Sequence, residues 1–191
     1  GVQTCALPIW WHGRHAEVIG HWLDAVGELE ALGSLAAFAF ERPDATFPTV
    51  EAGDAQFVAR ALIHPLLDHP VANDVALGGP HPHLLLVSGS NMSGKSTLLR
   101  AIGVNTALAQ AGGPVTAAAL TLSPLRIGAS LRVDDSLQAG HSRFYAEILR
   151  VRGIVDLAAG HTGVLFLLDE MLAGTNSHDR SEEHTSELQS R

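Results

Sequence analysis

"LLLVSGSNMSGKSTLLR" (residues 84–100) passes from an unbroken apolar run into glycines and hydroxyls, then into a helix-forming stretch. With His83 before it, the apolar run "HLLLVSG" (83–89) reads as a strand buried on both faces, because its hydrophobicity is continuous rather than alternating. The loop "GSNMSGKS" puts Gly89, Gly94, Lys95 and Ser96 at the fixed places of G-x-x-x-x-G-K-[ST]. That spacing has a physical basis. Backbone N–H groups must turn inward as an anion nest, which needs glycine torsions and no bulky Cβ beside the phosphates. The following helix, expected from Lys95 to about Ala111, adds the positive end of its dipole. Lys95 would reach the β- and γ-phosphates, and the Ser96 hydroxyl would ligate Mg2+. A ligand-free glycine-rich turn is the plain alternative; the strand before and the helix after weigh against it.

"GVLFLLDE" (163–170) is a second apolar strand, ending in two carboxylates. Ligands of open α/β sheets bind at the carboxyl ends of strands, so Asp169 and Glu170 should face the phosphate loop. Asp169 would hold hydrated Mg2+, and Glu170 would orient or deprotonate the attacking water. Loop and strand end together predict a Mg2+-dependent P-loop ATPase. Elsewhere, "TLSPLRIGASL" reads as a loop and a strand, and Ser142 to about Ala159 as a helix. Extended candidates stand at Thr49–Val50, Ala61–Leu67 and Val71–Leu77. Apolar residues recurring every three or four positions from His15 to Phe40 predict one helix, or two broken near Gly33. Strands alternating with helices indicate a parallel α/β sheet.

The two ends read as foreign. "GVQTCALPI" and "RSEEHTSELQ" can be written as opposite strands of one oligonucleotide, which resembles a translated sequencing adaptor, so residues 1–9 and 181–191 are set aside. The chain carries a formal net charge of −8, and its core region stays acidic without those ends. An acidic balance argues against this region alone gripping a nucleic-acid backbone. Cys5, the sole cysteine, lies in the discarded stretch, which fits a cytoplasmic protein (nucleoid-associated if bacterial). No apolar run approaches the ~20 residues of a membrane span.

Three segments, "GSNMSGKSTLLR", "DDSLQAGHSRFYAEI" and "LLDEMLAGTNSHD", are similar in form and order to the ATPase domain of the MutS family of DNA mismatch repair proteins. The resemblance covers about residues 61–179, and more loosely 29–48, which look like the end of the lever helices and connector preceding that domain. It implies a P-loop NTPase parallel sheet flanked by helices, with ABC-type ATPase architecture. The expected organisation is a helical lever/connector remnant at 10–48 and a truncated ATPase domain at 49–180. Implied ATP contacts are Gly89, Ser90, Asn91, Met92, Ser93, Gly94, Lys95, Ser96 and Thr97, with Asn73 of "VANDVAL" near the base. Mg2+ would fall to Ser96 and Asp169, and catalysis to Glu170, Lys95 and Ser142. Ser142 would act in trans, on the γ-phosphate bound by the opposite subunit; on its own residues it reads equally as a helix N-cap. Gly174 to Asp179 would cross the dimer interface, and Pro70 or Val71 stands where the family stacks an aromatic on adenine. Implied partners are a second copy or a paralogous subunit through the ATPase domain, with DNA held by domains outside these residues and no membrane. An ABC-type ATPase of another process shares the motif order, although "LQAGHS" is not its LSGGQ signature. A MutS relative acting outside mismatch repair, as a nucleotide-dependent DNA-binding switch, is the further alternative.

Other residues carry less. His12, His15, His21, His64, His69, His81 and His83 lack metal-ligand spacing. Trp10, Trp11 and Trp22 have no interleaved basic residues for base stacking. Arg143, Arg150 and Arg152 form a basic stripe of the kind usually solvated, with Arg143 next to Ser142.

Overall fold

The computed structural model describes residues 3–90, 93–131, 143–160 and 162–169, without the side chains of 3–9 and 143–146. Two compact units result, residues Gly1–Pro43 and Asp44–Arg191. The first is a single helix, α1 (Gln3–Glu41), which runs through Gly33 without a break and begins within the stretch set aside above. One interior glycine weakens a helix by only about 1 kcal/mol, too little to end one of this length. Among the described residues, no helix is long and apolar enough to cross a membrane.

Among the described residues, the second unit holds two sheets and two helices. Strands β1 (Thr49–Val50), β2 (Gln56–Leu62), β3 (Asn73–Gly78) and β4 (Ala119–Leu122) form a mixed sheet in the order β1-β4-β2-β3. Only β1–β4 is parallel there; β2 runs antiparallel to both β3 and β4. A separate parallel pair joins β5 (Leu125–Ser130) to β6 (Gly163–Leu168) in unshifted register, from Leu125 opposite Gly163 to Ser130 opposite Leu168. Helix α2 (Lys95–Gln110) follows the glycine-rich segment that begins at Gly89, and α3 (Arg143–Ala158) precedes β6.

Several expectations change. "TLSPLRIGASL" supplies two strands, β4 and β5, parted by Ser123-Pro124. The strand expected at 61–67 lies upstream, because Pro65 has no N–H for a ladder and the chain turns there, with Leu66 N–H donating to His64 Nδ1 at 3.2 Å. Residues 83–89, expected as a buried strand, form no ladder among the described residues, and Leu84 and Leu86 are 65% and 86% exposed. An apolar run becomes a strand only where a neighbour accepts its backbone hydrogen bonds. Here the run lies across an apolar cavity from β6, which among the described residues pairs only with β5; Leu84, Leu85 and Val87 line one side and Val164 to Leu167 the other.

The core joins both sheets through α2. Phe57 and Leu62 of β2, Leu122 of β4, Ile102 of α2 and Leu165 and Leu167 of β6 form one buried cluster. Asn105, fully buried on α2, cross-links it to the mixed sheet. Its amide donates to Ile63 O (3.0 Å) and to Ala101 O (2.9 Å), while its carbonyl oxygen accepts from Thr116 N (2.7 Å). At the end of α2, Gln110 Oε1 accepts from Leu125 N at 2.9 Å, at the start of β5.

Candidate nucleotide-binding site

The orientation of α2 follows from its contacts. Gln110 at its end meets the first residue of β5, and a Cβ built on Gly103 would lie 2.9 Å from Leu167 Cδ1, near the end of β6. The helix therefore runs antiparallel to β5 and β6, and its first residue lies at their carboxyl-terminal edge. Lys95 stands about 12 Å up the helix axis from Gly103, and Asp169 about 7 Å up the strand from Leu167. Lys95, Ser96 and Asp169 thus share one edge of the parallel pair. Asp169 leaves the ladder there, its N–H donating to Ser130 O at 3.0 Å.

The loop itself is closed tightly. Lys95 Nζ donates to Gly89 O (2.8 Å) and to Ser90 O (2.9 Å), and Ser93 N–H donates to Ser90 O (3.2 Å). A Cβ on Gly89 would come within 2.7 Å of Ser93 Oγ, so a side chain there would require the Ser93 hydroxyl to move. Gly94 caps α2 at φ 91°, a left-handed torsion that other residues adopt only with strain, and it offers no side-chain cap. The first intrahelical bond is Leu98 N–H to Gly94 O. The N–H groups of Lys95, Ser96 and Thr97 therefore have no acceptor within the helix and form the array that an anion would satisfy. Asn91 and Met92 lie outside the described residues.

Helix α3 reaches the same edge. A Cβ on Gly128 would meet Ile154 Cγ1 at 2.9 Å, and one on Gly160 would lie 3.6 Å from an Arg126 guanidinium nitrogen. The end of α3 thus sits over the start of β5, and the two run antiparallel. From Ile154 back to Arg143 the helix rises about 16 Å, against about 7 Å of strand from Gly128 to Ser130. The start of α3 therefore overhangs the strand ends by about 10 Å. Ser142, Glu170 and the segment Gly174 to Asp179 lie outside the described residues.

Asn73 stands apart. It opens β3 opposite Leu62, beside the Ile63 carbonyl that Asn105 binds, and so at the level of the far half of α2. Its side-chain amide donates to Val71 O at 2.9 Å. Asp74 next to it accepts from Ala61 N at 2.8 Å and secures a bulge where Ala61 adopts φ 48°. Among the described residues, no three His, Cys, Asp or Glu side chains converge as a metal site. Sequence reasoning missed the residues that fix α2, namely Asn105, Thr116, Gly103 and Gln110. An asparagine and a glycine within the apolar stretch 101–109 of α2 were the available signals.

Comparison with known proteins identifies the family. The family description "MutS domain V" matches residues 85–182. The DNA mismatch repair protein MutS of Brevibacillus brevis is 33% identical over 177 residues, 87% of this chain and 20% of that protein. The probable DNA mismatch repair protein Msh6 of Drosophila melanogaster is 36% identical over 163 residues, 82% of this chain and 14% of its own length. Endonuclease MutS2 of Thermus thermophilus is 34% identical over 158 residues, again 82% of this chain, and 20% of its own length. The chain spans a fifth or less of the length of these relatives. A domain match over more than half of the sequence, spanning residues 85–182, shows that the chain belongs to the MutS family.

Proposed function

We propose that this chain is the ATP-binding and ATP-hydrolysing part of a MutS-like mismatch repair protein, built on a P-loop NTPase fold. The observation that carries the reading is the shared edge. An uncapped helix N-terminus under the loop Gly89–Ser96 stands on the same side of the parallel pair as Asp169. In this reading the N–H groups of Lys95, Ser96 and Thr97 bind phosphate oxygens. Lys95 exchanges its two loop carbonyls for the β- and γ-phosphates, a charge-assisted contact stronger than the one it leaves. The Ser96 hydroxyl and the Asp169 carboxylate are hard oxygen donors that suit Mg2+. When bound, that ion neutralises charge on the phosphate oxygens. Glu170, next after Asp169, orients the attacking water and takes its proton. Ser142, by the family resemblance, acts in trans on the γ-phosphate bound by a facing subunit. ATP binding and slow hydrolysis at such composite sites alter dimer geometry, and with it the hold on mismatched or branched DNA.

A second reading keeps the ATP chemistry and changes the duty. The match to the Thermus thermophilus protein named endonuclease MutS2 is about as close as the mismatch repair matches, which favours a nucleotide-dependent DNA-binding switch outside mismatch repair equally well. Equilibrium ATP binding and steady-state turnover of the full-length dimer test the common core. Lys95→Ala should weaken ATP binding at least about tenfold, the loss expected when one charge-assisted contact is removed. Glu170→Gln should keep binding and slow turnover by at least about a hundredfold, as loss of a general base does. Equal loss of binding in both variants would overturn the assignment of roles. Binding of mismatched against branched DNA separates the two duties.

A further inference from the structure

We propose that Thr46 is a positioning residue for the nucleotide site, acting through Val115, Thr116 and Asn105 to keep the far half of α2 ordered before any nucleotide arrives. The effect on affinity rests on the ATP-binding reading above; the ordering itself does not. Thr46 lies near the start of the second unit, within residues 42–48 that join α1 to β1. It is clipped to Val115 in both directions, Thr46 N–H donating to Val115 O (3.0 Å) and Val115 N–H to Thr46 O (2.8 Å). The Thr46 hydroxyl adds a third bond, to Ala117 O at 2.8 Å. Thr116, between those two partners, bonds the other way. Its N–H donates to Asn105 Oδ1 (2.7 Å) and its hydroxyl to Ile63 O (2.8 Å), while its carbonyl accepts from Ile63 N–H (2.9 Å). The strip 115–117 is thus held on one edge by Thr46, and on the other by the end of β2 and the side chain of Asn105.

The strip depends on those borders. Gly112, Gly113 and Pro114 part it from α2, and β4 begins only at Ala119. Val115 and Thr116 are consecutive and both buried, so a shift at Val115 carries Thr116 with it and lengthens the 2.7 Å bond to Asn105. Asn105 holds α2 to the mixed sheet, and Lys95 stands about 15 Å up the helix axis from it. A nucleotide that meets a helix with a loose root must order that root on binding, and its affinity falls accordingly. With the clip closed the root is already ordered, and ATP has nothing left to do there. Displacement of residues 42–48 therefore tunes ATP affinity although none of them touches the nucleotide. By linkage, bound ATP restores order to a root whose clip has been weakened. The two arrangements of Lys95, on its loop carbonyls or on phosphate, supply the equilibrium that the clip biases.

Amide hydrogen exchange and equilibrium ATP binding of the full-length protein test the role. Thr46→Pro removes the N–H that reaches Val115 O, Thr46→Val removes only the hydroxyl bond to Ala117 O, and Thr46→Ser keeps all three bonds. Glu51→Pro is the matched break. It removes the N–H that binds Leu122 O (2.9 Å), farther along the same segment and without a bond to Thr116 or Asn105. Without nucleotide, Thr46→Pro should speed exchange over residues 101–109 at least about tenfold, Thr46→Val less, and Thr46→Ser and Glu51→Pro not at all. Thr46→Pro should weaken ATP binding at least about fivefold, and saturating ATP should slow its exchange over 101–109 again. Exchange there unmoved by Thr46→Pro, or moved equally by Glu51→Pro, would overturn the proposal. So would a loosened root with parental ATP affinity. If Thr46→Pro fails to fold, Thr46→Val decides, and unchanged exchange over 101–109 counts against the clip. A parent protein that binds no ATP would remove the nucleotide reading, and the exchange pattern would still decide whether Thr46 orders α2.

Discussion

Asn105 shows how much of the site rests on a residue that touches no ligand. It is fully buried and satisfies Ile63 O, Ala101 O and Thr116 N together. Asn105→Ala strands a buried donor and acceptor, and should lower stability by about 2–4 kcal/mol in chemical denaturation. Gly103→Val is a different test. Its new side chain must displace Leu167, at a cost of about 1–3 kcal/mol in the same assay. At this scale the sequence was legible where chemistry is local. Gly94 and Lys95 lie within one turn of chain, and the spacing predicted the helix start that α2 makes there. The partners of Asn105 are Thr116 and Ile63, which only folding brings near, and nothing in "GVNTALA" announces them. The role expected of Asn73 came from the resemblance alone, and its side-chain amide donates to Val71 O.

Elements were legible where periodicity and punctuation agreed. Helix α2 begins at Lys95 and ends at Gln110, one residue short of the expected stop, because the motif fixes one end and "GG" the other. Helix α3 and strand β6 likewise fall within a residue or two of expectation. The run 83–89 was misjudged because hydrophobicity tells only that a segment seeks cover, not that a neighbour is present to pair with it. That exposure has a measurable effect. Leu84→Lys with Leu86→Glu should raise the concentration at which the chain begins to aggregate, without lowering its melting temperature, because neither side chain is part of the buried cluster. A fall in melting temperature would mean that these leucines pack after all. The mixed sheet escaped notice for a related reason: alternation of strands and helices predicts parallel pairing, but β2 and β3 follow each other with no helix between and pair antiparallel.

At the scale of the whole molecule, the proposed trans role of Ser142 makes turnover a property of pairs. In the full-length protein, ATPase activity per chain should rise with protein concentration, and Ser142→Ala should abolish most of that rise. Turnover independent of concentration and untouched by Ser142→Ala would remove the composite site. Within one chain, α2 is built as a cantilever. Its far half is clamped twice, to the mixed sheet by Asn105 and to the parallel pair by Gln110, while its tip at Lys95 has no capping side chain. A load on the tip therefore cannot be absorbed by swivelling at the root; the beam must carry it into both sheets together. Amide hydrogen exchange would record this as a gradient, fast over residues 95–97 and slow over residues 105–109, with added ATP stilling the tip while leaving the root unchanged.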